Sequence, residues 1–78
     1  MIEFDNTAVG YVVRKLRKER GLSQEVLSGL AGMARSHIAM IETGEKKANF
    51  ETVWKISNAL NIRPSAFVQL VEEQIMQK

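Results

Sequence analysis

Cysteine is absent from the sequence, and histidine and proline each occur only once. The absence of cysteine excludes disulfide bonds, a thiol nucleophile and thiolate ligands for a metal ion. The single histidine, His37, excludes a histidine-rich metal site. Apolar runs are much shorter than the ~18 residues that span a membrane, and the first residues lack the basic flank and apolar stretch of a signal peptide. We therefore expect a cytoplasmic protein without metal ions or other cofactors.

Catalytic motifs are also missing from the sequence. The sequence has no paired carboxylates and no glycine-rich phosphate loop where a pocket is plausible. Ser36 and His37 are neighbours in the sequence, but on a helix their side chains point in different directions and cannot act as a nucleophile and its base. With 78 residues the chain has room for one domain, so residues 1–78 are expected to form a single unit. That leaves no space for a separate effector domain, and no small-molecule ligand is indicated. The sequence does not favour an enzyme.

The composition is that of a small folded domain with an uneven charge distribution. Hydrophobic residues make up 45% of the chain and charged residues 26%, which argues against disorder. Residues 14–47 contain eight basic and four acidic residues, whereas the remainder contains three basic and five acidic residues. A basic middle between acidic ends suits a polyanion-binding face. The alternative is an ordinary solvated surface, and charge alone favours that alternative.

Apolar periodicity predicts five helices and no strand. The predicted helices run from about residue 8 to 20, from the cap Ser23 to Gly32, from about 35 to 43, from 50 to 60 and from 64 to about 76. Asn6 or Thr7 is the predicted cap of the first helix, and residues 1–6 form an N-terminal arm. The predicted fold class is therefore all-α.

The same periodicity assigns side chains to the core and to the surface. On the fourth helix, which Asn49 caps, the residues assigned to the interior are Phe50, Val53, Ile56, Ser57 and Leu60. Val26 and Leu30 lie four residues apart on the outer face of the second helix. We expect Ile2 and Phe4 of the N-terminal arm to cover them, because a covered pair removes apolar surface from water.

The second and third predicted helices are joined by a tight turn at residues 32–34, where Gly32 supplies the backbone freedom. On the third helix Ile38 and Ile41 point inward. Arg35, Ser36, Ala39 and Met40 then point outward, since each residue rotates the helix face by about 100°. This arrangement predicts a helix-turn-helix whose outer side chains can enter a major groove about 12 Å wide.

The stretch from residue 16 to residue 62 carries an ordered set of features, namely Arg17, Leu22-Ser23-Gln24, Gly32, Ile38, the pair Ile41-Glu42 and the fourth-helix pattern. With these features it resembles the lambda-repressor/Cro family, also called the Xre-type helix-turn-helix family. The resemblance implies a five-helix domain that binds double-stranded DNA, usually as a homodimer. The extended last helix is also similar to that of controller proteins from restriction–modification systems.

Individual roles follow from matched positions. The resemblance implies that bases are read by Arg35, Ser36 and Met40. It assigns contacts with the DNA backbone to Gln24, Arg14, His37, Lys46, Lys47 and Asn49. The fork of Arg35 can pair with guanine O6 and N7, although a contact with phosphate alone is the alternative. Each lysine taken singly is better explained as a solvated charge, and only the clustering of the lysines beside the third helix favours contacts with DNA.

Two further sets of residues are given structural roles. The resemblance implies an ion pair between Arg17 and Glu42 that orients the third helix. It also favours a dimer interface on the fifth helix, residues 64–76, formed by Phe67, Leu70, Val71 and Ile75. The alternative for that helix is that it only closes the domain. Two copies would place their reading helices roughly 34 Å apart, opposite an inverted repeat.

The expected function is sequence-specific regulation of transcription, most simply repression by occupying a promoter. A controller-type protein can also activate, so the sign of regulation stays open. The alternative is a protein-interaction module of the antitoxin or coactivator kind, with Val26, Leu30 and the fifth helix as its contact surface. A steep loss of DNA affinity with added salt would favour the regulator.

Overall fold

The computed structural model describes residues 2–77. Over this range the chain forms five helices and no strand. The helices are α1 (Asn6–Glu19), α2 (Gln24–Ala31), α3 (Arg35–Thr43), α4 (Phe50–Ala59) and α5 (Pro64–Met76). The predicted all-α class with five helices is confirmed, and the bounds of α2, α3 and α5 agree with the sequence within one residue. None of the helices in residues 2–77 has the length and apolar character to cross a membrane.

Side-chain caps fix three of the helix starts. Ser23 accepts a hydrogen bond from the Val26 amide at 3.0 Å, and Asn49 accepts one from the Thr52 amide at 2.8 Å. The prediction that Asn6 or Thr7 caps α1 is wrong. Asp5 caps this helix instead, and its carboxylate accepts from the Thr7 amide at 2.9 Å. The helix therefore starts two residues earlier than predicted, and residue 1 of the arm lies outside the described residues.

Helices α2, α3 and α4 end in a left-handed backbone conformation that few side chains tolerate. Gly32 ends α2 with φ 66°, and Gly44 ends α3 with φ 84°. Asn61 adopts the same left-handed conformation after α4, with φ 56°. Unlike α2 and α4, α3 begins without a side-chain cap, because Ala34 occupies the capping position.

The core lies between α1 and the other helices. Its buried apolar side chains are Ala8, Val9, Val12, Val13, Leu16, Leu27, Ile38, Ile41, Ile56, Leu60, Phe67 and Val71. The predicted inward position of Phe50 is wrong, since this side chain is 81% exposed. Phe50 shares a helix face with buried Ser57, but it belongs to the first turn of α4 and lies at the rim of a groove beside α5.

The N-terminal arm does not cover α2, contrary to the sequence-based hypothesis. Phe4 lines a groove with Val53 and Val68 of α4 and α5, and remains 65% exposed. Val26 and Leu30 stay 49% and 61% exposed. The arm leaves α1 at the end that lies beside α5 and the α3–α4 loop, so the chain carries it away from α2.

Candidate nucleic-acid interface

The first turn of α3 presents its side chains to solvent. Arg35 and Ser36 are exposed, whereas Ile38 and Ile41 are fully buried on the opposite side of the helix. His37 and Met40 lie between these extremes and are half-buried. A short helix held by two isoleucines, with arginine and serine outward, has the shape and donors that reading base edges in a major groove requires.

A close approach between α1 and α3 sets the position of the candidate reading helix. A Cβ atom added at Gly10 would lie 2.3 Å from the Ile41 carbonyl oxygen and 2.5 Å from that of Glu42. Only glycine therefore allows the two helices to come this close. Sequence reasoning missed Gly10, although a glycine inside a predicted helix is the signal for such an approach.

A buried ion pair joins the same two helices. Arg17 donates from Nε to Glu42 Oε2 at 2.7 Å and from Nη2 to Glu42 Oε1 at 3.0 Å. Only 4% of the Glu42 side chain is exposed. The hydrogen bonds and charge of the Glu42 carboxylate raise the pKa of Arg17 against the opposing effect of burial. The forked geometry fixes direction as well as distance, so the pair resists rotation of α3 against α1.

The start of α2 is tied into this ion pair. The side-chain amide of Gln24 donates to Glu42 Oε1 at 3.0 Å, and Arg17 Nη1 donates to the Leu22 carbonyl at 2.9 Å. Three helices thus meet at one carboxylate. The Gln24 amide retains a second N–H and a carbonyl oxygen that can form further hydrogen bonds. Its predicted contact with the DNA backbone stays a prediction.

The basic loop between α3 and α4 lies beside the same surface. Lys46 and Lys47 are exposed, and the loop is held at its start by Asn6, whose amide donates to the Gly44 carbonyl at 2.8 Å. Asn49 uses its carbonyl oxygen to cap α4, so only its NH2 group remains for a phosphate. Arg14 is exposed on α1.

The structure corrects the residues proposed for the dimer interface on α5. Phe67 is 1% exposed and Val71 is buried beside it, so both belong to the core of the single chain. The sequence could not assign them, because one apolar stripe serves either a core or an interface. Leu70 and Ile75 are half-buried at the edge of that core.

Exposed apolar side chains lie close to this edge instead. They belong to the start of α4, to α5 and to the arm, and comprise Phe50, Trp54, Val68 and Phe4. No group of three or more carboxylate or imidazole side chains in residues 2–77 could hold a metal ion. The two notable surfaces are therefore the cationic side around α3 and the apolar side around Phe50.

The fold and this surface define a helix-turn-helix protein, and the comparison with known families agrees. The helix-turn-helix family model matches residues 13–67, which is more than half of the chain. The chain belongs to this family, in its Xre or lambda-repressor type.

Relatives of known name match over most of this chain. It is 37% identical over 60 residues to the immunity repressor protein of Bacillus phage phi105, and 32% identical over 56 residues to the HTH-type transcriptional regulator SutR of Escherichia coli K12. These matches cover 77% and 72% of this chain, but only 42% and 32% of those proteins. The chain thus spans less than half the length of either relative.

Solved structures match over most of the chain. The restriction–modification controller protein C.AhdI from Aeromonas hydrophila is 35% identical, with a TM-score of 0.78, and the match covers 81% of this chain and 96% of that one. The controller protein C.Esp1396I has the same fold with a TM-score of 0.88 at 24% identity, and the match covers 97% and 99% of the two chains.

Proposed function

We propose that this protein is a sequence-specific, double-stranded DNA-binding regulator of transcription. The observation that carries the proposal is the presentation of Arg35 and Ser36 on a helix fixed by Gly10 and the Arg17–Glu42 pair. A helix held against α1 in this way can read base edges without the cost of positioning it at the moment of binding. Catalysis is not part of the proposal, and the place of action is the cytoplasm, where bacterial or phage DNA lies.

The names of similar proteins support this function. The phage phi105 relative is an immunity repressor, and SutR is a transcriptional regulator. C.Esp1396I has been crystallised as a tetramer in complex with its natural 35 base-pair operator. Repression by occupying a promoter is the simplest activity for a protein of this size, and a controller-type role is the nearest alternative in regulation.

Each contact has a distinct expected effect on DNA. We assign base reading to Arg35, Ser36 and Met40, with Met40 limited to apolar contact with a thymine methyl or sugar because it has no donor. Phosphate contacts are assigned to the residues flanking α3, namely Gln24, Arg14, His37, Lys46, Lys47 and Asn49. Contacts with bases set the sequence specificity, whereas contacts with phosphates set the register on the duplex. Binding experiments can therefore distinguish the base-reading residues from the phosphate-contacting residues.

Selection of bound sites from random duplexes tests this proposal. We expect an enriched inverted repeat, and we expect Arg35→Ala to lose about 1–3 kcal/mol of affinity with relaxed preference at one position of each half-site. The control Lys47→Ala should weaken binding evenly across sequences. Failure to enrich any sequence at low salt would contradict the proposal.

We further propose that the protein binds DNA as a homodimer through its apolar side. Phe50 lies at the rim of a groove lined by Phe4, Val53 and Val68, so a twofold axis can place each Phe50 in the partner's groove. Ile75 lies beside Phe4 of the arm, and Phe67 lines the groove from within the core. Leu70 faces the cleft between α1 and α5 instead, so it is not part of the interface proposed here. The exposed aromatic area is the kind that dimers bury.

Sedimentation at micromolar concentration tests the dimer. We expect a dimer for the unaltered chain and a monomer for Phe50→Ser, because this change removes apolar contact without touching the core. Val26→Ser serves as the control, since Val26 is a similarly exposed apolar residue on α2. A monomeric unaltered chain, or equal dissociation of both variants, would count against this interface.

One observation favours a second candidate function, namely protein binding through α2. Val26 and Leu30 stay exposed and four residues apart, and the described part of the arm does not cover them. A protein-interaction module would show little salt-dependent DNA binding, whereas the regulator shows a steep dependence. Measuring affinity for duplex DNA between low and moderate salt separates the two candidates.

A further inference from the structure

Helix α1 divides its basic residues into two kinds. Arg17 is paired with Glu42, and Arg20 donates to the Leu60 carbonyl oxygen, so both serve the fold. Arg14, Lys15 and Lys18 are exposed, and over residues 2–77 their side chains make no ion pair or hydrogen bond. Within the described residues, these three side chains are therefore solvent-facing positive charges that can bind a partner molecule.

The three free cations share one face with an aromatic residue. Positions 11, 14, 15 and 18 follow the helical spacing that brings side chains together, and Tyr11 is 50% exposed among them. The four residues line a shallow surface depression together with Glu19. We call Tyr11, Arg14, Lys15 and Lys18 the α1 cationic face.

One edge of the α1 cationic face lies on the same helix as the ion pair that holds the candidate DNA surface. Arg14 lies one turn before Arg17, whose partner Glu42 also holds Gln24 at the start of α2. At the other edge, Lys15 borders a cleft with Glu19 and Glu73. The electrostatic attraction for an anion is consequently strongest near Arg14 and Lys18 and weakest near Lys15.

We propose that the α1 cationic face binds the phosphate backbone of the duplex that flanks each half-site. This inference rests on the proposed function and extends the phosphate contact assigned there to Arg14 outward to Tyr11, Lys15 and Lys18, beyond the bases that α3 reads. Lysine and arginine supply charge to phosphates, and the Tyr11 hydroxyl adds a donor of the kind that contacts DNA backbones. The flanking duplex reaches the face by bending toward α1, so the protein covers a longer site than base reading requires.

Two duplexes of different length test the inference. The short duplex ends at the outer base pair of the selected half-sites, and the long duplex extends about one helical turn (~10 base pairs) beyond each end. Affinity is measured over a range of salt for the unaltered protein, Lys18→Gln and Lys15→Gln. Lys55→Gln is the matched control, because it removes one exposed positive charge from α4.

We expect the unaltered protein to bind the long duplex more tightly and with a steeper salt dependence than the short one. For Lys18→Gln the slope of log affinity against log salt on the long duplex should become shallower by about 1 for each phosphate that the protein no longer neutralises. The short duplex should be unaffected, Lys15→Gln should have a smaller effect, and Lys55→Gln should match the unaltered protein.

Equal binding of the two duplexes would overturn the inference. The inference would also be overturned if Lys18→Gln weakened the affinity for both duplexes equally, or if Lys55→Gln weakened it as much. In either case the loss of net positive charge would explain the effect. If the α1 cationic face binds an acidic protein instead of DNA, Lys18→Gln would leave the salt-dependence slopes for both duplexes unchanged, which would also overturn the inference. Failure of the proposed function is distinguishable, because the short duplex would then not be bound selectively and Arg35→Ala would have no effect.

Discussion

The two sides of the molecule differ in how completely contacts within the chain fix their side chains and cover them from solvent. On the side where α1 meets α3, Gly10 allows backbone contact and Arg17 forms a forked ion pair with Glu42. On the side of α4 and α5, Phe50 and Val68 remain exposed to solvent. The buried charges of the first side pair with each other, whereas the apolar side chains of the second side remain exposed.

This difference shows what each side is suited for. A surface that reads bases benefits from a helix whose position is fixed before the ligand arrives, because positioning that helix during binding would weaken affinity. An apolar surface left open gains free energy when a second copy covers it, since the driving force scales with the apolar area removed from water. We therefore expect changes on the first side to affect stability and DNA binding together.

The largest effect is expected for Gly10→Ala, which breaks the contact on the internally held side. The new Cβ atom would overlap backbone oxygens of α3 that cannot rotate away. We expect a loss of about 3 kcal/mol in the free energy of unfolding. Gly29→Ala is the control in urea unfolding, because Gly29 is helical with open space and alanine there should stabilise by up to ~1 kcal/mol. Equal effects of the two changes would refute the close approach.

A somewhat smaller effect is expected for Glu42→Gln, which removes the charge from the same side. Arg17 would keep a hydrogen-bond acceptor but lose its counter-charge in a mostly buried site. We expect the free energy of unfolding to fall by about 2–3 kcal/mol, with weaker DNA binding as α3 loses its orientation. Thermal unfolding and duplex binding measure the two effects. Unchanged melting and affinity would show that the pair is dispensable.

The start of α3 lacks a side-chain cap, although it lies on the side where α1 fixes α3. Ala34→Ser tests whether a cap would stabilise this helix start. Ala34 makes no side-chain cap, whereas Ser23 and Asn49 cap the neighbouring helices. A serine oxygen can accept from the amides of the first turn, so we expect a gain of about 1 kcal/mol in urea unfolding. A stability equal to that of the unaltered chain would mean that solvent already satisfies this turn.

The smallest effect is expected for Ser57→Ala, which tests the core beneath α4. Within residues 2–77 the buried Ser57 hydroxyl finds no hydrogen-bond partner. Removing an unsatisfied hydroxyl relieves its desolvation cost, so we expect a gain of about 0.5–1 kcal/mol in thermal or urea unfolding. Destabilisation by this change would show that the hydroxyl has a partner, such as a bound water.

Local signals in the sequence are reliable where they act within one helix. Ser23 and Asn49 occupy the capping positions that the sequence predicts for them, and Gly32 takes the left-handed conformation expected of it. The inward positions of Ile38 and Ile41 also follow from helical spacing. Signals that depend on neighbouring elements are less reliable, as Phe50 and the course of the N-terminal arm show.

By itself, the sequence determined the five helices, the turn between α2 and α3 and the outward position of Arg35, because caps, glycines and apolar spacing are local properties. Only the tertiary structure decided that Gly10 touches α3, that Phe67 and Val71 lie in the core and that Phe4 lies beside α5 rather than over α2. The physical reason is that spacing reveals which side chains share a face, while burial depends on which element covers that face.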